Sequence, residues 1–102
     1  MTVANILCVD DEEEVLLALN RVFRKTDFKI FTASSGQEGL EVINRHKIDI
    51  VISDLNMPHM NGNQFLRKVA SNSPEIVRLM LTAFTELEDV ITSINEGHIF
   101  GY

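Results

Sequence analysis

Short apolar runs alternate along this chain with segments whose apolar residues recur at helical spacing. Ile6–Val9, Phe28–Ala33, Ile48–Ser53 and Ile76–Leu81 are strand-length stretches rich in β-branched residues, and Ile99–Tyr102 has the same character. Between them, Val15, Leu19, Val22 and Phe23 line one face of a helix over Glu13–Lys25. Ser35-x-x-Glu38 is a capping-box pattern, and the helix it opens carries Leu40 and Ile43. Phe65, Leu66 and Val69 mark a third helix that begins near Asn61-Gly62 and stops before Pro74. Leu87, Val90, Ile91 and Ile94 mark a fourth, ended by Gly97. The order β-α-β-α-β-α-β-α-β implies right-handed crossovers and a five-stranded parallel sheet with helices on both faces, a doubly wound α/β domain.

Composition narrows the function classes. At 102 residues the chain has the size of one domain, and 45% apolar with 24% charged residues is the balance of a globular protein with a real core. Nine Lys and Arg against fifteen Asp and Glu leave a net charge of −6. That sign opposes both a phosphate backbone and an anionic membrane surface, so direct contact with nucleic acid or lipid is not expected. The single cysteine, Cys8, excludes an internal disulfide, and its apolar neighbours make it a small buried hydrophobe. No run approaches a membrane span, and Met1–Asn5 lacks the basic start of a signal peptide. A cytoplasmic location is the expectation.

In an open α/β sheet, ligands bind beyond the carboxyl ends of the strands. The first strand runs into Asp10-Asp11, the third into Asp54 and the fourth into Thr82. Three carboxylates and a hydroxyl from separate strands would therefore meet at one rim. Glu12, Glu13 and Glu14 read as a solvated, dipole-favoured helix start. Taken alone, Asp54 is equally well an Asx turn or helix cap, and its coincidence with the acidic pair is what points to a site. Two carboxylates about 5 Å apart at an effective dielectric of ~20 repel by roughly 3 kcal/mol. One of them stays protonated or a cation joins them, and an oxygen-only set suits Mg²⁺ before Zn²⁺. Mg²⁺ leaves positions for phosphate oxygens, which makes phosphoryl chemistry the natural candidate.

Three stretches carry a resemblance that spans most of the chain. Ile6-Leu7-Cys8-Val9-Asp10-Asp11, then Asp54-Leu55-Asn56-Met57-Pro58 with Met60 and Gly62, then Leu81-Thr82-Ala83 together resemble a response-regulator receiver domain of two-component signalling. The resemblance implies the flavodoxin-like strand order 2-1-3-4-5. It implies Asp54 as phosphoacceptor, taking its phosphoryl group from a phosphohistidine on a sensor histidine kinase or phosphotransfer protein. It implies Mg²⁺ held by Asp10, Asp11, Asp54 and the backbone carbonyl of Asn56, with Asp11 the more direct ligand and Asp10 acting partly through water. Thr82 would donate to a phosphoryl oxygen, and the small Ala83 would keep the site open. Thr82 and Tyr102 would form the switch that reshapes the helix 4/strand 5 surface for an output domain or protein. Such a domain is a regulatory phosphoacceptor that catalyses only its own phosphorylation and dephosphorylation.

The chain departs from that pattern at its end. The family places a lysine, in a Lys-Pro pair, a few residues beyond the aromatic switch, whereas the last lysine here is Lys68 and the chain stops at Tyr102. Arg78, inside the fourth strand, does not replace it. The expectation for residues 1–102 is thus a receiver domain incomplete at its C-terminus and lacking the last helix, with weakened phosphorylation and a tendency to self-associate. Two alternatives remain. One is a phosphorylation-independent interaction module with a receiver fold. The other is an aspartate-nucleophile phosphatase, which wants an acid two residues after the nucleophile, where this chain has Asn56. His46, His59 and His98 read as surface or loop residues rather than ligands.

Overall fold

A computed structural model describes residues 4–24 and 26–81. Four strands, β1 (Asn5–Val9), β2 (Lys29–Ala33), β3 (Ile50–Asp54) and β4 (Val77–Leu81), alternate with three helices, α1 (Glu13–Phe23), α2 (Gly36–Arg45) and α3 (Gly62–Asn72). Every pairing is parallel, and the sheet runs β2-β1-β3-β4. This matches the expected order through its first four strands. The expected fourth helix and fifth strand, with Thr82, Ala83 and Tyr102, lie outside the described residues.

Apolar pattern decides which strands are central. In β1 and β3, successive residues are apolar on both faces, and Ile6, Leu7, Cys8, Ile50 and Val51 are fully buried. Ile6, Cys8, Ile50 and Ile52 meet Leu16, Leu19 and Phe23 of α1 on one face. Leu7, Val9 and Val51 meet Phe65 and Val69 of α3, with Leu40 and Ile43 of α2 beside them, on the other. Cys8 is the core hydrophobe its neighbours suggest, and burial pushes its thiol up to about 12. β2 is an outer strand, and it exposes Lys29 and Thr32, polar residues that discourage pairing with a further chain.

Element boundaries shift where side chains capture backbone groups. β1 begins one residue before Ile6 because Asn5 is tied to the approach of β3. Its N–H donates to the Asp49 carboxylate at 2.8 Å, and its side-chain amide donates to the Lys47 carbonyl at 2.6 Å. α1 ends at Phe23 rather than Lys25. Thr26 takes the Phe23 carbonyl with both its hydroxyl, at 2.6 Å, and its N–H, at 3.0 Å. The box expected at Ser35 is half-formed. Ser35 accepts from the Glu38 N–H at 3.1 Å, but the Glu38 carboxylate is taken by the Ser34 hydroxyl at 2.8 Å.

The complete reciprocal box belongs to α3. Asn61 accepts from the Gln64 N–H at 2.9 Å, and the Gln64 side chain accepts from the Asn61 N–H at 3.0 Å. Asn61→Ala removes one half of that exchange and is expected to destabilise the domain by about 1 kcal/mol in urea unfolding. An unchanged midpoint would show that the box does not anchor the helix.

Candidate functional site

The register of the sheet delivers the acidic residues to one rim. Val9 lies opposite Ser53, so Asp10 at the end of β1 and Asp54 at the end of β3 emerge side by side. A carboxylate oxygen from each of Asp10, Asp11 and Asp54 lies within 4.8 Å of the other two. The three differ in environment: Asp10 is buried at 5% exposure, Asp54 is half-buried and Asp11 is exposed.

Asp10 is held from two sides. Its N–H donates to the Ala33 carbonyl of β2 at 3.1 Å, and its carboxylate accepts from the Glu12 N–H at 2.8 Å. It therefore serves the start of α1, where Glu12 at the cap position makes no side-chain bond of its own. Burial pushes the Asp10 carboxyl up to about 6, against the pull of the Glu12 N–H. The charges of Asp54, Asp11 and Glu12 push it further in the same direction. Glu12, Glu13 and Glu14 are exposed, as their reading as a solvated helix start requires.

The loop from Asp54 to α3 is short and braced. Met57 is buried, whereas Asn56, Pro58 and His59 are exposed. The Met60 N–H donates to the Pro58 carbonyl at 2.7 Å around His59, whose φ is +68°. That three-residue turn folds the loop back so that the Gly62 N–H reaches the Leu55 carbonyl at 2.9 Å. Only glycine fits at 62, because a Cβ there would collide with the Asp54 carbonyl oxygen. The Ser53 hydroxyl donates to the same carbonyl at 3.0 Å.

A model of the response regulator receiver domain matches residues 6–101. The chain belongs to this family. Among curated relatives, a hydrogenase transcriptional regulatory protein of Cupriavidus necator is 35% identical over 99 residues, covering 97% of this chain and 20% of the regulator. The sporulation initiation phosphotransferase F of Bacillus subtilis is 31% identical over 92 residues, covering 91% of this chain and 74% of that protein. A solved signal receiver domain of an HD domain-containing protein from Pseudomonas fluorescens superposes with a TM-score of 0.78 at 27% identity, covering 97% of this chain and 79% of that one. The receiver chain spans about a fifth of the length of the Cupriavidus necator regulator and of the Escherichia coli transcriptional regulatory protein GlrR.

The receiver's acidic cluster is chemically suited to a hard divalent cation. All three donors are carboxylates, and no histidine or cysteine joins the cluster among the described residues. A cation there would offset the like charges that Asp54, Asp11 and Glu12 bring to the buried Asp10. Asp10, Asp11 and Asp54 are thus brought together as the sequence suggested, and Asn56 sits in the loop directly after them. His59 and His46 are exposed, and His46 packs against the Phe31 ring with centroids 4.6 Å apart. Arg78 is turned to the start of β4, donating to the Pro74 and Ile76 carbonyls at 3.2 and 3.0 Å. It does not stand in for the family's lysine. Ser53 is nearly silent in the sequence, its only signal a hydroxyl in the otherwise apolar run IVIS before Asp54. No helix among the described residues is long and apolar enough to cross a membrane.

Proposed function

We propose that this receiver is the phosphoacceptor of a two-component system, with Asp54 as the residue that carries the phosphoryl group. A carboxylate oxygen of Asp54 attacks the phosphorus of a phosphohistidine on a sensor histidine kinase or phosphotransfer protein. The P–N bond breaks, the imidazole leaves, and an aspartyl phosphate remains. Asp10, Asp11, Asp54 and the Asn56 carbonyl would hold Mg²⁺, which supplies charge neutralisation for the transferring group. Asp10 orients through its bond to the Glu12 N–H, and Asp11 stands at the open side of the rim. Thr82 would donate to a phosphoryl oxygen, Ala83 would leave room for it, and Thr82 with Tyr102 would relay the added charge to an output domain or protein. The role is regulatory, and its setting is the cytoplasm.

The convergence of three carboxylates from two strand ends within 4.8 Å supports this reading most directly. A structural acidic patch gains nothing from drawing like charges together around a buried one. The test is intact-protein mass after incubation with a small-molecule phosphodonor, with and without Mg²⁺. A Mg²⁺-dependent phosphoryl adduct supports the proposal. Its absence in the presence of Mg²⁺, with partner binding unaffected by phosphodonor, would favour the phosphorylation-independent module.

The donor surface is proposed to be the groove beside Asp11, lined by Glu13, Leu17, Asn20, Ser34 and Glu38. Leu17 is 56% exposed, the one large hydrophobic so exposed among the described residues. Leu17→Asp is expected to slow transfer from a phosphohistidine protein about tenfold while leaving small-molecule phosphorylation unchanged. Equal slowing with both donors would remove Leu17 from the docking surface.

A further inference from the structure

The backbone that follows Asp54 is fixed by two residues outside the acidic cluster. Ser53 is fully buried on the α3 side of β3, yet its hydroxyl is not spent on the core; it donates to the Asp54 carbonyl at 3.0 Å. Gly62, the first residue of α3, leaves no room for a Cβ beside that carbonyl, and its N–H takes the next one, Leu55, at 2.9 Å. A Cβ at 62 would also come 2.9 Å from the Met80 sulfur. The sulfur lies near the end of a flexible side chain and can move, whereas the backbone carbonyl cannot. Successive peptide carbonyls at 54 and 55 are therefore each held, and the chain arrives at Asn56 in a set direction.

We propose that Ser53 and Gly62 are positioning residues that aim the Asn56 carbonyl at the acidic cluster. The inference rests on the proposed Mg²⁺ site and extends it to residues that touch no ligand. Mg²⁺ tolerates little departure from octahedral geometry at about 2.1 Å, while Ca²⁺ accepts irregular oxygen shells at about 2.3–2.6 Å. A slightly misdirected carbonyl penalises Mg²⁺ far more than Ca²⁺. General loss of structure would not discriminate between them.

The experiment measures Mg²⁺ and Ca²⁺ affinity by calorimetry, and metal-free thermal stability, on the full chain. Ser53→Ala is expected to weaken Mg²⁺ binding about fivefold, the worth of one ordinary hydrogen bond, and Ca²⁺ binding less than about twofold. Ser53→Thr keeps the hydroxyl and forces a methyl into a filled site, so it should lose stability yet retain Mg²⁺ affinity. Gly62→Ala should lower Mg²⁺ affinity more than Ser53→Ala does. Ser53→Ala indistinguishable from wild type overturns the positioning role, as does parallel loss of both cations in step with stability. Wild-type chain that binds no Mg²⁺ and takes no phosphoryl group overturns the proposed function as well. Wild-type binding with unaffected variants overturns only the positioning.

Discussion

Asp54→Asn is expected to abolish phosphoryl transfer, lowering adduct formation from a small-molecule phosphodonor by at least ~10³-fold, because the nucleophile itself is removed. An amide oxygen carries no formal charge, so it offers neither the electron density for attack nor a stable phosphorylated product. The neighbouring acids do not replace it. Asp10 is buried, bound to the Glu12 N–H, and shifted toward its protonated form, all of which weaken it as a nucleophile. Asp11 is exposed on the loop beyond β1 and lacks the strand-end anchorage of Asp54. The substitution should leave the fold in place, and by removing one of the charges that raise Asp10 it should lower that carboxyl a little while burial still holds it up. Intact mass followed by peptide mapping reads the outcome. A persistent adduct on another acidic residue would show that Asp54 is not the acceptor.

Much of this arrangement is readable from the residues, and the parts that are not share a physical reason. β1 and β3 declare themselves as central strands because Ile6–Val9 and Ile50–Ile52 are apolar at consecutive positions, which only burial on both faces explains. Asp10 and Asp54 then follow as rim residues from strand direction alone. Periodicity could not supply the strand order, since nothing in Phe28–Ala33 says on which side of β1 it pairs; that came from the resemblance, and the sheet agrees with it through β4.

Side-chain competition is the harder problem. Ser35-x-x-Glu38 has the spacing of a box, but Ser34 offers its hydroxyl to the Glu38 carboxylate instead. Asn61-x-x-Gln64 has the same offset and forms the box in full. Spacing identifies who can reach, and the surrounding donors decide who bonds. Likewise, the adjacent residues Asp10 and Asp11 differ sharply in burial. Asp10 is held by the Ala33 carbonyl and the Glu12 N–H, partners supplied by tertiary packing and by a turn that spacing alone does not reveal.

The site also carries a cost that pH exposes. Asp10 has a folded carboxyl pKa of about 6 against an ordinary value of 3.8. Below about pH 4 the group is protonated in both folded and unfolded chains, and no penalty arises. As pH rises between about 4 and 6, the unfolded chain releases this proton while the folded one retains it. Stability therefore falls through that window and stays lowered above it. Asp10 sits at the end of the sheet beside the exposed Asp11, where solvent is near, so the loss is about 1–2 kcal/mol, below what the full shift would give. Asp10→Asn is expected to recover that amount near pH 7.5 without metal and to flatten the pH profile. Its amide oxygen can still accept from the Glu12 N–H, so the start of α1 survives. The same substitution should weaken Mg²⁺ binding ~10–100-fold, the usual consequence of removing a group that supports a metal at close range. Urea unfolding from about pH 4 to 8, with and without Mg²⁺, separates the two effects. A metal-free Asp10→Asn chain less stable than wild type near pH 7.5 would refute the electrostatic account. The expected result, a more stable protein that binds its cation poorly, would mean that Asp10 is kept charged and buried for the site's chemistry, at the expense of the fold.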